Sequence, residues 1–250
     1  MARKVKRRSN IFSQVFTLLC AVVFVYSSYS FVTIYFEYKH NREVLAEAQE
    51  LYQPTNVQEN PVSLRESFED LQEINEDIIG WIQIKDTMIN YPVLQTTDNV
   101  YYLDRNYKLE TSRAGSIFAD YRNDFSKKDR HIILYGHRMK DQSMFQQLTN
   151  YLDEDFFNKH RIVYFDTLYR SYDAIVFSAY KTTTDFDYIK TEFENDESFA
   201  TFIQEIREKS HIVSDEVVTE EDQILTLSTC DYSLDRDKGR LVVHAKLIER

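Results

Sequence analysis

Residues 223–248 read "QILTLSTCDYSLDRDKGRLVVHAKLI". Two apolar, β-branched runs flank a charged loop; the first stops at Cys230 and the second opens at Arg240. In the first run Leu225, Leu227 and Thr229 alternate with Thr226, Ser228 and Cys230, the period of a strand with two distinct faces. If the two runs pair as neighbours, Cys230 and Arg240 meet at one rim. A structural cysteine more often sits in mid-strand among apolar neighbours. One at a strand end, before a polar loop, is placed where a substrate can reach it.

The same pattern extends upstream. "GWIQI", "INYPVLQ", "GSIFADYR", "RHIILYGH", "RIVYFD" and "YDAIVFSAY" are further short runs of strand composition, which makes eight in all from residue 80 on. "SMFQQLTNY", "DEDFFNKH" and a longer amphipathic stretch at 194–210 read as helical interruptions. The expected fold class is mainly β: an eight-stranded barrel, closed or nearly so, with N-terminal helices and one long helix inserted before the seventh strand. Pro 3, Gly 4 and aromatics at 14% argue against a disordered or repeat-built chain of these 250 residues. A net charge of -11 argues against a nucleic-acid partner.

The charge is uneven. Residues 1–36 hold Arg3, Lys4, Lys6, Arg7 and Arg8 and no acid, and residues 11–36 carry no charged side chain at all. Such a stretch exceeds the roughly 20 apolar residues that a membrane-spanning helix needs. The basic flank places the N-terminus in the cytoplasm and everything after about Glu37 outside. "YKHNREVLAEAQELYQ" has helical composition, and two prolines break it in "PTNVQENP". Ser63 with Glu66 forms a capping-box pattern ahead of an apolar stripe of Leu64, Phe68 and Leu71.

With Cys20 inside the apolar stretch, Cys230 is the lone thiol of the exported part. Exported cysteines usually pair as disulfides, so a single one is inert, intermolecular or a nucleophile. No CxxC or HExxH occurs and the six histidines are scattered, so no metal and no cofactor are expected. A thiol attacks as its thiolate and needs a base or cation beside it. His137, directly after a strand and a glycine, is the candidate base; Arg240 is the candidate donor to an oxyanion or a substrate carbonyl. His244 lies deeper in its strand, where a structural role is expected. Asp231 reads either as a solvated loop acid or as a group that orients Arg240.

Three segments carry a family resemblance. "TLSTC" is similar to the TLxTC signature of sortases, the membrane-anchored cysteine transpeptidases of Gram-positive bacteria; "YGH" resembles the segment around their histidine, and "GRLVVHAKLI" their arginine strand. The segments fall in the family's order, and the resemblance spans residues 64–248. The N-terminal helices, "INYPVLQ…DNVYYLD" and the long helix look like class B. The resemblance implies His137, Cys230 and Arg240 as the catalytic three. It implies an extended sorting peptide bound near Asn90, Leu94, Tyr135, Thr184, Tyr188 and Ser228. It further implies cleavage of an NPxTN-like or PxTG-like signal of secreted proteins through a thioacyl intermediate, and transfer to an amine of a peptidoglycan precursor. The corresponding division is a basic cytoplasmic tail at 1–10, an anchor at 11–36, an extracellular stalk at 37–63 and a catalytic domain at 64–250. The alternatives are a pilin-polymerising sortase, a thiol protease of unrelated fold, and a non-catalytic membrane-tethered binding domain.

Overall fold

Each of the eight runs forms a strand. The structure, a computed structural model, describes residues 9–52 and 65–250. The strands are β1 (Ile78–Gln83), β2 (Asn90–Leu94), β3 (Ile117–Ala119), β4 (His131–Tyr135), β5 (Ile162–Thr167), β6 (Ser171–Thr183), β7 (Gln223–Cys230) and β8 (Gly239–Glu249). They close into a barrel in the order β1-β2-β3-β4-β7-β8-β6-β5, with β5 returning to β1. Closure leaves no open sheet edge, the usual liability of a β domain. Two pairings are parallel, β2 with β3 and β4 with β7. The helices are α1 (Ser9–Leu51), α2 (Glu69–Ile74), α3 (Glu154–Lys159) and α4 (Asp196–Glu208), and α4 is the long insertion between β6 and β7. Asn195 caps α4 by accepting from the Ser198 N–H, while the Ser198 hydroxyl takes the Asn195 N–H in return.

Two compact units divide the chain, residues 1–43 and 44–250. In the first, the large apolar side chains from Phe12 to Phe36 are nearly all exposed, on a helix long and apolar enough to cross a membrane. In the second, the last turns of α1 carry Val44, Ala48 and Tyr52 at a four-residue spacing into a core of Phe68, Leu71, Trp81 and Phe118. Tyr52 stacks on Trp81 with ring centroids 4.3 Å apart and its hydroxyl donates to Asp166. The stretch read as a stalk therefore also packs. Ser63 and Leu64 of the expected capping box and stripe lie outside the described residues, whereas Phe68 and Leu71 are fully buried.

β7 shows both faces buried, although its alternate residues are polar. The reason is α4, whose Phe199, Phe202, Ile203 and Ile206 cover the face that carries Ile224 and Val242. The polar groups trapped beneath form one chain: Lys190 O, His131 Nδ1 (2.6 Å), His131 Nε2 to Thr226 Oγ1 (2.6 Å), Thr226 Oγ1 to His244 Nδ1 (2.6 Å), and His244 Nε2 to Tyr180 (2.8 Å). A carbonyl can only accept, so His131 Nδ1 carries a proton and Nε2 accepts from Thr226. Thr226 then accepts from His244 Nδ1–H, and His244 Nε2 accepts from Tyr180. One direction of donation satisfies every member, and both imidazoles are neutral. His244 has the structural role expected of it.

Neutrality has a cost in acid. Burial pushes His131 down from 6.5 to about 4, and burial together with the neighbouring His131 holds His244 well below the ordinary value. The unfolded chain takes up these protons near pH 6.5 while the native barrel refuses them. Stability present above that pH should therefore be lost as the pH falls toward 4, by about 1.4 kcal/mol per unit for each histidine. Trp81, the single tryptophan and buried, reports unfolding by fluorescence. Thermal melts between pH 7 and pH 4.5 should move to lower temperature with acid, and a constant midpoint would refute the neutral chain.

Candidate active site

β7 and β8 pair antiparallel with Cys230 opposite Arg240, so the rim expected from the sequence exists. The parallel pairing of β4 with β7 sets Tyr135 opposite Ser228, and the Gly136 N–H donates to the Ser228 carbonyl at 3.2 Å. His137 leaves β4 at the level where Cys230 ends β7. All three side chains are half-buried: reachable from solvent yet partly shielded from it.

His137 Nε2 lies 2.7 Å from the Leu103 carbonyl. The carbonyl cannot donate, so Nε2 bears the proton, and in the neutral ring Nδ1 is the basic nitrogen. Leu103 belongs to a 3-10 turn, Tyr101–Leu103, whose start is capped by Asp98 Oδ1 accepting from the N–H groups of Val100 and Tyr101. Sequence reasoning missed Leu103 because its contribution is a main-chain oxygen, which no residue type signals. Arg240 turns one guanidinium nitrogen, Nη1, onto the carbonyls of Asp237 (3.0 Å) and Gly239 (2.9 Å). That anchors the head at the mouth of the β7–β8 loop while leaving most of its five donors for other partners.

The candidate groove residues divide. Tyr135, Ser228 and Tyr188 come together beside Cys230: the Tyr188 hydroxyl is 3.0 Å from Ser228 Oγ and the Tyr135 hydroxyl donates to Asp120 at 2.7 Å. Burial raises the Tyr188 phenol, the hydrogen bond from Ser228 and the nearby Arg240 oppose this, and the Cys230 thiolate raises it further. Tyr188 is thus in electrostatic contact with both rim residues. Thr184 is exposed at the start of the same segment, its N–H on the Lys238 carbonyl at 3.0 Å. Asn90 and Leu94 do not join them. Asn90 begins β2 and accepts the Trp81 indole N–H at 2.7 Å, and Leu94 is fully buried in the core with Tyr102 and Phe118. The alternation of β2 sent these two side chains to structural tasks.

Asp231 is neither solvated nor turned to Arg240. It is fully buried, ion-paired with Arg138 (3.4 Å) and Lys181 (3.2 Å), and accepts from Ser233. Burial would raise its carboxyl, but Ser233 and Lys181 together hold it below the ordinary range. Because Asp231 follows Cys230 and Arg138 follows His137, this contact ties together the residues next to the thiol and the imidazole. Tyr232, exposed on the loop, has its phenol raised by partial burial and by the Cys230 thiolate beside it. Among the described residues no group of three metal-ligating side chains converges.

A glycine precedes each of the two charged candidates. A Cβ on Gly239 would overlap the backbone oxygens of Asp231 and Asp235, whereas on Gly136 it would overlap the ring of Phe145 and a terminal carbon of Ile117. Backbone cannot retreat as side chains can. Gly239→Ala should therefore displace the start of β8 and impair turnover more than Gly136→Ala, by about tenfold or more, in a steady-state peptide-cleavage assay.

Residues 82–248 match the model of the sortase domain. Sortase B of Listeria monocytogenes is 42% identical over 238 residues, 94% of this chain and 96% of that protein. The structure of Bacillus anthracis sortase B in complex with AAEK2 superposes with a TM-score of 0.79 at 54% identity, covering 85% of this chain and 98% of that one. Staphylococcus aureus sortase B complexed with triglycine gives a TM-score of 0.78 at 43% identity, over 84% of this chain and 98% of the other. The eight-stranded barrel, the cysteine–arginine rim and these likenesses agree: the chain belongs to the sortase family, most like its class B members, and is a sortase-type transpeptidase.

Proposed function

We propose that Cys230, His137 and Arg240 carry out the acyl transfer, on secreted proteins, at the outer face of the membrane. The observation that carries this reading is the register that places Cys230 opposite Arg240, with His137 emerging at the same level. Nδ1 of His137 takes the thiol proton, and the thiolate attacks the scissile carbonyl of an extended sorting peptide. The C–N bond breaks, the proton passes to the leaving amine, and a thioacyl-enzyme remains. An incoming amine attacks the thioester, gives up its proton to His137, and releases the thiol. Splitting one transfer into two lowers each barrier. Arg240 donates to the carbonyl oxygen as it gains charge, and a guanidinium stays charged through both steps. Tyr135, Thr184, Tyr188 and Ser228 line the groove for the peptide. A class B member reads an NPxTN-like or PxTG-like signal, and the acceptor is an amine of a peptidoglycan precursor. Triglycine, seen with the S. aureus relative, is a peptide with such a terminal amine.

The exposed apolar helix of residues 12–36 serves as a single-pass anchor, with the basic residues 3–8 in the cytoplasm and the barrel outside. Tethering places the barrel beside lipid-linked wall precursors and secreted chains.

Cys230→Ala in the full chain should abolish cleavage of a quenched Asn-Pro-x-Thr-Asn peptide and transfer to an added amine. His137→Ala should be nearly as damaging. Arg240→Ala should lose about 10²–10³ in rate and Arg240→Lys a similar amount, since an ammonium cannot reproduce the forked donors. The three losses should not add, because residues acting as one unit fail together. Cleavage by Cys230→Ala would sink the assignment, and near-normal activity of Arg240→Ala would reduce the site to a Cys–His pair. Topology is tested separately: protease added to intact protoplasts should remove the barrel and spare the first ten residues, and a protected barrel would disprove the orientation.

A further inference from the structure

A second polar node lies behind the groove. Asp120, directly after β3, is fully buried, yet its carboxylate accepts five hydrogen bonds from three separate segments. Oδ1 accepts from the backbone N–H of Arg122 (3.0 Å) and from Arg122 Nε (2.8 Å). Oδ2 accepts from Arg122 Nη2 (2.7 Å), the Tyr135 hydroxyl (2.7 Å) and Asn99 Nδ2 (3.0 Å). Burial alone would raise this carboxyl, but Arg122 and Tyr135 more than offset it, and the group sits below the ordinary range.

Each donor leads to the rim. Asn99, which also accepts the Tyr121 N–H at 3.0 Å, sits between Asp98, the cap of the Tyr101–Leu103 turn, and that turn, whose last carbonyl holds His137. Tyr135 ends β4 two residues before His137. Arg122 spends a further Nη2 contact on the Ile189 carbonyl at 3.0 Å, the residue after Tyr188. The next carbonyl, Lys190, is taken by His131. Two consecutive backbone oxygens of the Tyr188 segment are thus gripped from the barrel, one by a guanidinium that Asp120 itself holds in place.

Packing does not call for such a node. A buried ion pair replaced by apolar groups of similar volume is often no less stable, because both charges must be desolvated. What the pair supplies is geometry: planar, bidentate contacts that fix direction as well as distance. We propose that Asp120 and Arg122 are positioning residues of the transpeptidase, setting the separation between the segment that orients His137 and the segment that carries Tyr188, and with it the width of the peptide groove. The proposal rests on the groove assignment made above.

Peptide affinity tests it without requiring turnover. In the full chain carrying Cys230→Ala, in detergent, a fluorescein-labelled Asn-Pro-Gln-Thr-Asn peptide is titrated by anisotropy. Arg122→Gln, at a partly exposed site that tolerates the change, should weaken binding about tenfold, the value of one lost charge-assisted contact. Arg122→Lys should weaken it nearly as much, because a point charge cannot hold Asp120 and the Ile189 carbonyl together. Asp120→Asn combined with Arg122→Gln should be no worse than Asp120→Asn alone. With Cys230 restored, Arg122→Gln should raise KM more than it lowers kcat, and the rate at which iodoacetamide, too small to need the groove, alkylates Cys230 should stay within about twofold of the parent. Unchanged affinity in Arg122→Gln, with or without a lower melting temperature, would overturn the proposal, as would full rescue by Arg122→Lys. Failure of the catalytic reading would show instead as peptide cleavage that survives Cys230→Ala.

Discussion

The register of three strands governs the molecule. β4 runs parallel to β7 with Tyr135 opposite Ser228, and β7 runs antiparallel to β8 with Cys230 opposite Arg240. A strand displaced by one residue turns every side chain to the other face, so this register is fixed wherever both faces are buried. Here they are: Leu225 and Leu227 face one side, and Ile224, Thr226 and Ser228 lie under α4 or beside Tyr188. The core that prevents slippage also holds the thiol, the guanidinium and the imidazole at one level.

Around that register, polar contacts are concentrated on the backbone of the loops and not on the side chains at the rim. Leu103 O receives His137, the Gly239 carbonyl receives both Arg240 and the Asp231 N–H, and the carbonyls of Ile189 and Lys190 are held by Arg122 and His131. Loops usually sample more conformations than the strands they join. Fastening them by their own main chain leaves the side chains of the rim uncommitted. The two buried carboxylates, Asp120 and Asp231, serve that fastening, each gathering cations and donors from segments far apart in sequence.

Much of the architecture was legible in the order of residues. Period-two runs identified all eight strands, because each has at least one face on a dry core. The amphipathic stretch before the seventh strand is α4, and Cys230 and Arg240 do face each other across a short loop, where local connectivity leaves little choice of partner. The apolar residues 11–36 stood out by composition alone. Less was legible in the groove. Asn90 and Leu94 lie in a run as strand-like as any other, and which of its side chains meet peptide and which meet Trp81 or the core depends on neighbours the run does not contain.

Asp231 marks the boundary most clearly. In the chain it is one acid among several in a charged loop, and nothing local separates it from Asp235 or Asp237. Folding buries it because Lys181 of β6 and Arg138 beyond β4 arrive from either side, and their charges make a desolvated carboxylate tolerable. His131 and Thr226 are likewise inconspicuous until α4 seals them in. The sequence by itself determined the strands, the membrane-length helix and the thiol opposite the arginine, since those follow from periodicity, composition and a short loop. Tertiary structure alone decided which polar groups are buried, which carbonyls orient the histidine, and which residues wall the groove, because desolvation and main-chain hydrogen bonds depend on segments that meet only when the barrel closes.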